Sequence, residues 1–314
     1  MKNLAGDSQK SPPKQYQFLA ENKISLLEKA LNHFISSTNL TPKIGIELEF
    51  YLLEKNGDSL ENKDLVQEFI AELAQKFPSK IIYKIEKEQG RGQIEIKTIF
   101  DSDLLKICAE IEKVKSIAKE LAEKKNLLAS FAAQPFEDDC GSALQFNISL
   151  HDKNSENLFL KKERIFYNSI AALLQFSDAM LIILAPKKED YLRFDHDLNH
   201  KLHKNGKYPA PINLSFGGEN RTCAIRVPVI RETLSEIKYG ARIEYRIAAS
   251  NADIYLAMIG ILNAILRGIE NNLEPRELGF DQIYGNAFEQ QYNLKSFAKS
   301  YERAEENFLI ELFV

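Results

Sequence analysis

The 314-residue chain has few of the features that assign a sequence to a protein class at once. Its three cysteines, Cys108, Cys140 and Cys223, are odd in number, widely spaced and without a CxxC pair. This usage argues against a disulfide framework or a zinc ribbon and predicts a cytoplasmic protein. The net charge of −4, with the two signs mixed along the chain, gives no electrostatic case for a nucleic-acid partner.

Long apolar runs and linkers are absent as well. The longest clean apolar run, residues 254–262, falls far short of the roughly 20 residues that span a bilayer, so no membrane partner is expected. Residues 1–20 are polar and have no apolar h-region, which predicts a loose leader rather than a signal peptide. Since no Gly/Ser/Pro linker follows residue 42, we expect a leader and helix over residues 1–42 and one α+β domain over residues 43–314.

Apolar residues at helical spacing predict five helices. They lie near residues 21–37, 66–73, 104–121, 162–184 and 251–271. The last of them is apolar nearly all round, which predicts that it is buried.

The run "IGIELEFYLL" places two glutamates, Glu47 and Glu49, on one face of a predicted strand whose other face is apolar. Strand geometry puts their Cα atoms about 7 Å apart. At an effective dielectric near 20, two unit charges at that distance repel by roughly 2.4 kcal/mol. Water could offset this repulsion on an exposed face, and a cation or arginines could offset it in a cleft.

Four more predicted strands, in "GQIEIK", "ALQFNISL", "AIRVP" and "RIEYRI", have the same apolar back and polar front. Their front residues are Gln93, Glu95 and Lys97; Gln145, Asn147 and Ser149; Arg226; and Arg242, Glu244 and Arg246. Arginine suits bidentate binding of carboxylate or phosphate, and paired carboxylates suit Mg²⁺ or Mn²⁺. A solvated face explains any one strand, but the five together favour one shared basin.

Six stretches in these regions resemble, in order, the catalytic domain of the glutamine synthetase family, including its γ-glutamyl-polyamine ligase branch. They are "GIELEF", "EQGRGQIEI", "PFEDDCGSALQFNISLHD", "YPAPINLSFGGENRTCAIRVP", "RIEYRIAASNADIYLAMIGILNAILRGIEN" and "IYGNAFEQQY". The resemblance covers about residues 43–293. It implies a curved, mainly antiparallel sheet with an active-site front and with helices packed on its apolar back.

The implied activity is an ATP-dependent ligase of glutamine biosynthesis and nitrogen metabolism. ATP would phosphorylate the γ-carboxylate of glutamate or an analogue, and ammonia or another amine would then displace phosphate. Such chemistry needs charge neutralisation and positioning more than a nucleophilic side chain. The alternative is a catalytically degenerate relative that binds nucleotide or glutamate in a regulatory or scaffolding role.

The resemblance also implies roles for individual residues. One Mg²⁺ or Mn²⁺ would be held by Glu49, Glu88 and Glu95, and a second by Glu47, Gln145 and Glu244. The substrate carboxylate would be bound by Arg193, Arg246 and Gly141. The nucleotide would lie against Ser149, Arg226 and Arg242. Arg221, Arg226 and Glu244 would be catalytic, with the two arginines facing the transferring phosphoryl group.

The sequence departs from the family pattern at several places. Gln145 and Asn147 replace two histidines, so the second cation site should be weakened or lost. Pro209 replaces a flap glutamate, which favours an amine other than ammonia. The family's small N-terminal β domain is not expected within residues 1–42. We expect either a homo-oligomer or a partner chain that supplies this domain. In the extra segment over residues 197–207 and just before it, His196, His200 and His203 have the spacing of a helical metal site, although a solvated insertion explains them too.

Overall fold

The computed structural model describes residues 14–228 and 241–314, which form seven α-helices and eight β-strands. The helices are α1 (Lys14–Thr38), α2 (Lys63–Lys76), α3 (Leu104–Lys124), α4 (Glu163–Leu184), α5 (His196–Lys204), α6 (Ile254–Glu270) and α7 (Tyr301–Asn307). The strands are β1 (Thr41–Glu54), β2 (Ile82–Lys87), β3 (Gln93–Thr98), β4 (Leu127–Ser130), β5 (Leu144–His151), β6 (Phe216–Gly218), β7 (Ile225–Val227) and β8 (Ile243–Tyr245). Four short 3₁₀ helices lie at Lys188–Phe194, Arg276–Leu278, Gln290–Tyr292 and Ile310–Leu312.

All eight strands belong to one sheet in the order β2-β3-β1-β5-β8-β7-β6, and β4 pairs with the C-terminal part of β1. Every pairing is antiparallel except that of β6 with β7. The long strand β1 therefore lies between β3 on one side and β5 on the other. The predicted α+β class with a mainly antiparallel sheet is confirmed.

The alternation in the strands separates an apolar back from a polar front, as the sequence predicts. On β1, the side chains of Ile44, Ile46, Leu48 and Phe50 are all fully buried. The alternate residues of β5, from Leu144 to Leu150, are buried in the same hydrophobic cluster, which also contains the apolar faces of the helices. Burying a side chain of this size stabilises the fold by about 1.5–3 kcal/mol. A register slip of one residue would therefore be costly, because it would turn the glutamates into this core.

The N-terminal helix is longer than the sequence predicts. It begins at Lys14 rather than near residue 21, so residues 14–20 are helical rather than part of a loose leader. Leu19, Leu27 and Phe34 are fully buried in the main core, and Lys23 forms an ion pair of 2.6 Å with Asp253 at the start of α6. Residues 1–13 lie outside the described residues, and the division of the chain at residue 42 stays a prediction.

The two most apolar helices, α4 and α6, pack against each other, and α6 also packs against α1. Among the described residues, α4 alone is long and apolar enough to cross a membrane, but 83% of its most apolar 18-residue window is buried within the fold. This burial is that of a core helix. The Asp253 side chain caps α6 by accepting hydrogen bonds from the backbone N–H groups of Tyr255 and Leu256.

Candidate active site

The polar front of the sheet forms one wall of a cavity of about 320 Å³. Six cationic and four acidic side chains line it, together with polar and small residues from the loops. The lining contains these residues predicted from the sequence: Glu47, Glu49, Glu88, Glu95, Gly141, Gln145, Arg193, Arg221, Arg226, Arg242 and Arg246. Glu244 lies behind this lining with only 1% of its surface exposed. The fronts of the strands thus meet at one hollow.

Two carboxylates face each other on the acidic side of the cavity. Glu49 and Glu95 are direct partners in the β1–β3 register, and both side chains are buried. Burial raises the pKa of Glu49 to about 7, although the backbone N–H of Ala143 donates a hydrogen bond of 2.9 Å to its carboxylate. Burial, with the charges of Glu47 and Glu49, also raises the pKa of Glu95. Burial likewise raises the pKa of the half-buried Glu88. This side of the cavity holds more negative charge than its surroundings neutralise.

Lys97 provides part of the missing positive charge. Its Nζ lies 2.9 Å from the Glu95 carboxylate and 3.0 Å from that of Glu86. Lys97 follows Glu95 by two residues on β3, so both side chains point to the front of the sheet. The sequence places it on the front face, but its role as the counter-ion of Glu95 is visible only in the fold.

Two amides in β5 connect the acidic strand β1 with the arginines around β8. The Gln145 amide nitrogen donates to Glu49 over 2.8 Å, and its amide oxygen accepts from Arg246 over 3.1 Å. The Asn147 amide nitrogen donates to Glu47 over 3.1 Å, and its amide oxygen accepts from Arg242 Nε over 2.8 Å. Both amides therefore use their donors and their acceptors at the same time.

Glu244 is the most fully neutralised carboxylate of the site. One carboxylate oxygen of Glu244 lies 2.6 Å from Arg246 Nη1, and the other contacts Arg226 Nη1. The second terminal nitrogen of Arg226, Nη2, lies 2.6 Å from the Glu219 carboxylate. Burial opposes ionisation, yet Arg246 and Arg226 outweigh it and hold the pKa of Glu244 below its ordinary value. Both oxygens of Glu244 are therefore bound by arginines, so this carboxylate has no free oxygen with which to ligate a metal.

Arg193 enters the cavity from the 3₁₀ helix Lys188–Phe194. Its guanidinium donates to the backbone carbonyls of Ile247 (2.8 Å) and Arg246 (3.0 Å), and burial lowers its pKa to about 10. Gly141 lies against it. A Cβ at this position would come within 2.7 Å of Gln134 Oε1 and within 3.1 Å of Arg193 Cγ, so only glycine allows the loop to approach the arginine so closely.

Ser149, predicted to contact the nucleotide, is not part of the cavity lining. It is buried farther along β5, where its hydroxyl donates to the carbonyl of Lys43 over 3.3 Å and lies 3.0 Å from His151 Nε2. The polar contacts of the Ser149 hydroxyl are therefore made with Lys43 and His151, its neighbours within the sheet.

A short segment, residues 207–210, follows α5 and borders the cavity. Tyr208, Pro209 and Ala210 all line the cavity, and the ring of Tyr208 stacks on the guanidinium of Arg221 at 4.2 Å. The segment is tied down by Lys207, whose Nζ lies 2.6 Å from the fully buried Asp139. Sequence reasoning missed Tyr208 and Asp139. The sequence features that could have indicated them are the aromatic residue before Pro209 and the acidic residues shortly before Gly141.

The histidines of α5 lie outside this cavity. His196 and His200 stack on each other with ring centroids 5.9 Å apart, and His203 packs edge-on against Phe288. In the parts of the chain that the structure describes, no three His, Cys, Asp or Glu side chains are grouped so that they could hold a metal ion. Burial raises the pKa of Cys140 and of Cys223 to about 12, so neither thiol is activated.

A mainly antiparallel sheet that lines one cavity with carboxylates and guanidinium groups defines a class of protein suited to anionic substrates. A family model for the catalytic domain of glutamine synthetase matches residues 59–311. Gamma-glutamylputrescine synthetase PuuA of Escherichia coli (strain K12) is 26% identical over 281 residues, covering 80% of this chain and 55% of PuuA. Glutamine synthetase of Pyrococcus abyssi (strain GE5 / Orsay) is 32% identical over 258 residues, covering 77% of this chain and 55% of that protein.

A solved structure titled "GmaS/ADP complex-Conformation 1" superposes with a TM-score of 0.75 over 93% of this chain and 69% of that one, at 19% identity, a likeness of fold. The chain belongs to the glutamine synthetase family, and the resemblance stated from the sequence is confirmed. It spans a little over half the length of the curated relatives that it matches.

Proposed function

We propose that the chain is an ATP-dependent carboxylate–amine ligase that acts on glutamate or a close analogue in the cytoplasm. The observation that carries this proposal is the convergence of four acidic and six cationic side chains on one cavity. Joining ATP to a carboxylate brings two anions together, so the reaction requires a preorganised site of positive charge. The reaction type is inferred from the related proteins, which are named as synthetases that join glutamate to an amine.

The arginines are assigned to the anionic groups of the substrates. Arg193 and Arg246 would bind the carboxylate of the substrate, with Gly141 leaving room beside them. Arg221 and Arg226 would face the transferring phosphoryl group. Arg193, Arg226 and Arg246 each carry a buried Nε–H that has no hydrogen-bond acceptor. Unsatisfied buried donors are costly, so these guanidinium groups are suited to an anionic ligand.

ATP, when bound, supplies the phosphoryl group that activates the carboxylate. Arg242 would contact its phosphates, because this side chain lines the same cavity as Arg226 and Arg246. The buried position of Ser149 gives it a weaker claim to the nucleotide.

A divalent cation, Mg²⁺ or Mn²⁺, is assigned to Glu49, Glu88 and Glu95. Their oxygen donors suit such hard cations, and all three carboxylates line the same cavity. Because no metal-binding cluster is preformed among the described residues, binding would require the Glu95 carboxylate to leave Lys97. The cation would neutralise the carboxylates whose pKa values burial raises.

The amine is proposed to be larger than ammonia. Pro209 stands where the family has a flap glutamate, and the relative PuuA is named for putrescine. In the family a small β domain of a neighbouring subunit completes this site, so a homo-oligomer or a partner chain would complete it here. Glutamine synthesis with ammonia stays the alternative substrate choice within the same reaction.

The direct test is ADP release from ATP with Mg²⁺ or Mn²⁺, glutamate and a panel of ammonia, monoamines and diamines including putrescine. We expect amine-dependent release that falls about 10²-fold in Arg221→Met, since removing one charge donor to a transition state typically costs that much. Arg303→Met, on the exposed face of α7 where Arg303 pairs with Glu306, is the matched control and should keep full activity.

A degenerate binding protein is the second candidate, and it is favoured by Gln145 at a family metal-ligand position and by Pro209 in place of the family's flap glutamate. It predicts a thermal shift with ATP or glutamate and no ADP release with any amine, either alone or with a chain that carries the β domain.

A further inference from the structure

The two amides of β5 have the same orientation. Gln145 and Asn147 each direct the amino group toward a carboxylate of β1 and the carbonyl oxygen toward a guanidinium next to β8. Their partners fix this orientation. Turning either amide by 180° would place its NH₂ against a guanidinium and its oxygen against a carboxylate, and both hydrogen bonds would be lost.

A cation placed between Glu47, Gln145 and Glu244 would therefore meet the wrong groups. Gln145 directs its amide nitrogen toward Glu49, and its amide oxygen, the only atom that could ligate a metal, already accepts from Arg246. Glu244 has one oxygen bound by Arg246 and the other by Arg226, and one Glu47 oxygen accepts from Asn147. The residues at this position do not fit a metal ion.

We propose that this cavity takes one divalent cation, at Glu49, Glu88 and Glu95, and that amide–guanidinium bridges replace a second. The inference rests on the proposed function for the ligand class. Gln145 is then a positioning residue that holds the Glu49 carboxylate through its amide nitrogen, and Arg226 and Arg246 provide the positive charge on the other side.

The test is the number of Mn²⁺ ions bound by the full chain, measured by calorimetric titration and by the electron paramagnetic resonance signal of free Mn²⁺. We expect one ion per chain, displaced by Mg²⁺. Two ions or none would overturn the inference. Glu49→Gln should weaken Mn²⁺ binding at least 30-fold, and Glu112→Gln, on the outer face of α3, is the matched control for surface carboxylates.

Gln145→Leu separates positioning from ligation. Stoichiometry should stay at one, with a Kd within about fivefold of the wild-type value. A larger weakening that Gln145→Asn does not repair, or a lost site, would identify Gln145 as a ligand. If Gln145→Leu does not fold, as judged by its melting curve, the wild-type stoichiometry still decides.

The outcomes separate this inference from the proposed function. One Mn²⁺ without ADP release contradicts the ligase and leaves the metal count standing. ADP release with two Mn²⁺ ions contradicts the metal count alone.

Discussion

The two sides of the cavity treat buried carboxylates in opposite ways. On the β1–β3 side, Glu49 and Glu95 face each other, and burial raises the pKa of both. On the β8 side, Glu244 lies between Arg226 and Arg246, and its pKa is lowered. The comparison teaches that one side is stable as it stands, whereas the other is strained by charge until a cation or a proton joins it.

Breaking the neutralised side should have the largest effect. We expect Arg246→Met to lower the free energy of unfolding by about 3–5 kcal/mol, because it leaves Glu244 with one counter-ion and Gln145 without its donor. Urea denaturation measures the change. The control Arg303→Met removes an exposed ion pair and should cost less than about 1 kcal/mol. Equal losses in the two variants would show that Glu244 does not depend on Arg246.

The strained side should respond to pH when divalent cations are removed with EDTA. The folded-state pKa of Glu49, about 7, lies above its unfolded value, so its favourable contribution is complete at low pH and is lost as the pH rises through 7. Between pH 5.5 and 8.0 the free energy of unfolding should fall by about 2 kcal/mol on this account. Glu49→Gln should show a correspondingly smaller fall. The same pH dependence in both proteins would refute the assignment.

Lys97 should compete with a cation for Glu95. Removing it with Lys97→Met should tighten Mn²⁺ binding by about tenfold, equivalent to about 1.4 kcal/mol, because Glu95 loses its protein counter-ion. Lys161→Met is the matched control, since Lys161 forms an exposed ion pair with Glu156 away from the cavity. Calorimetry measures both affinities. Unchanged or weaker binding in Lys97→Met would place the cation away from Glu95.

The smallest effect on activity is expected from the contact between Tyr208 and Arg221. Tyr208→Leu should lower kcat about threefold, in line with an exposed cation–π contact of about 0.5–1 kcal/mol, because Arg221 loses the ring that orients it. Tyr208→Phe keeps the ring and should retain wild-type kcat. If Leu and Phe behave alike in steady-state kinetics, the stack does not position Arg221.

The faces of the strands could be predicted from the sequence because β-strand alternation is local. The alternation of Glu47 and Glu49 with Ile46 and Leu48 showed which face of β1 is polar. The resemblance to the family then indicated which strands bring their polar faces to the same cavity. Partner choice could not be predicted. The contact of Gln145 with Glu49 depends on a register between strands that lie 96 residues apart.

One local error has a physical reason. Helix α1 was predicted to start seven residues late, because the helical spacing was read from Ile24 onward and did not include Phe18 and Leu19. The pair Pro12-Pro13 that precedes Lys14 was the available signal, since proline favours helix starts. The nucleotide contact of Ser149 stays a prediction; in the fold its hydroxyl contacts Lys43 and His151.

The most direct test of this account is the anomalous difference map of a crystal of the full chain soaked with ADP and Mn²⁺. The account predicts one strong manganese peak in the cavity, bound by carboxylate oxygens of Glu49 and Glu95, with Glu244 still paired to Arg226 and Arg246. A manganese ion coordinated by Glu244 or Gln145, or a cavity without manganese, would contradict it.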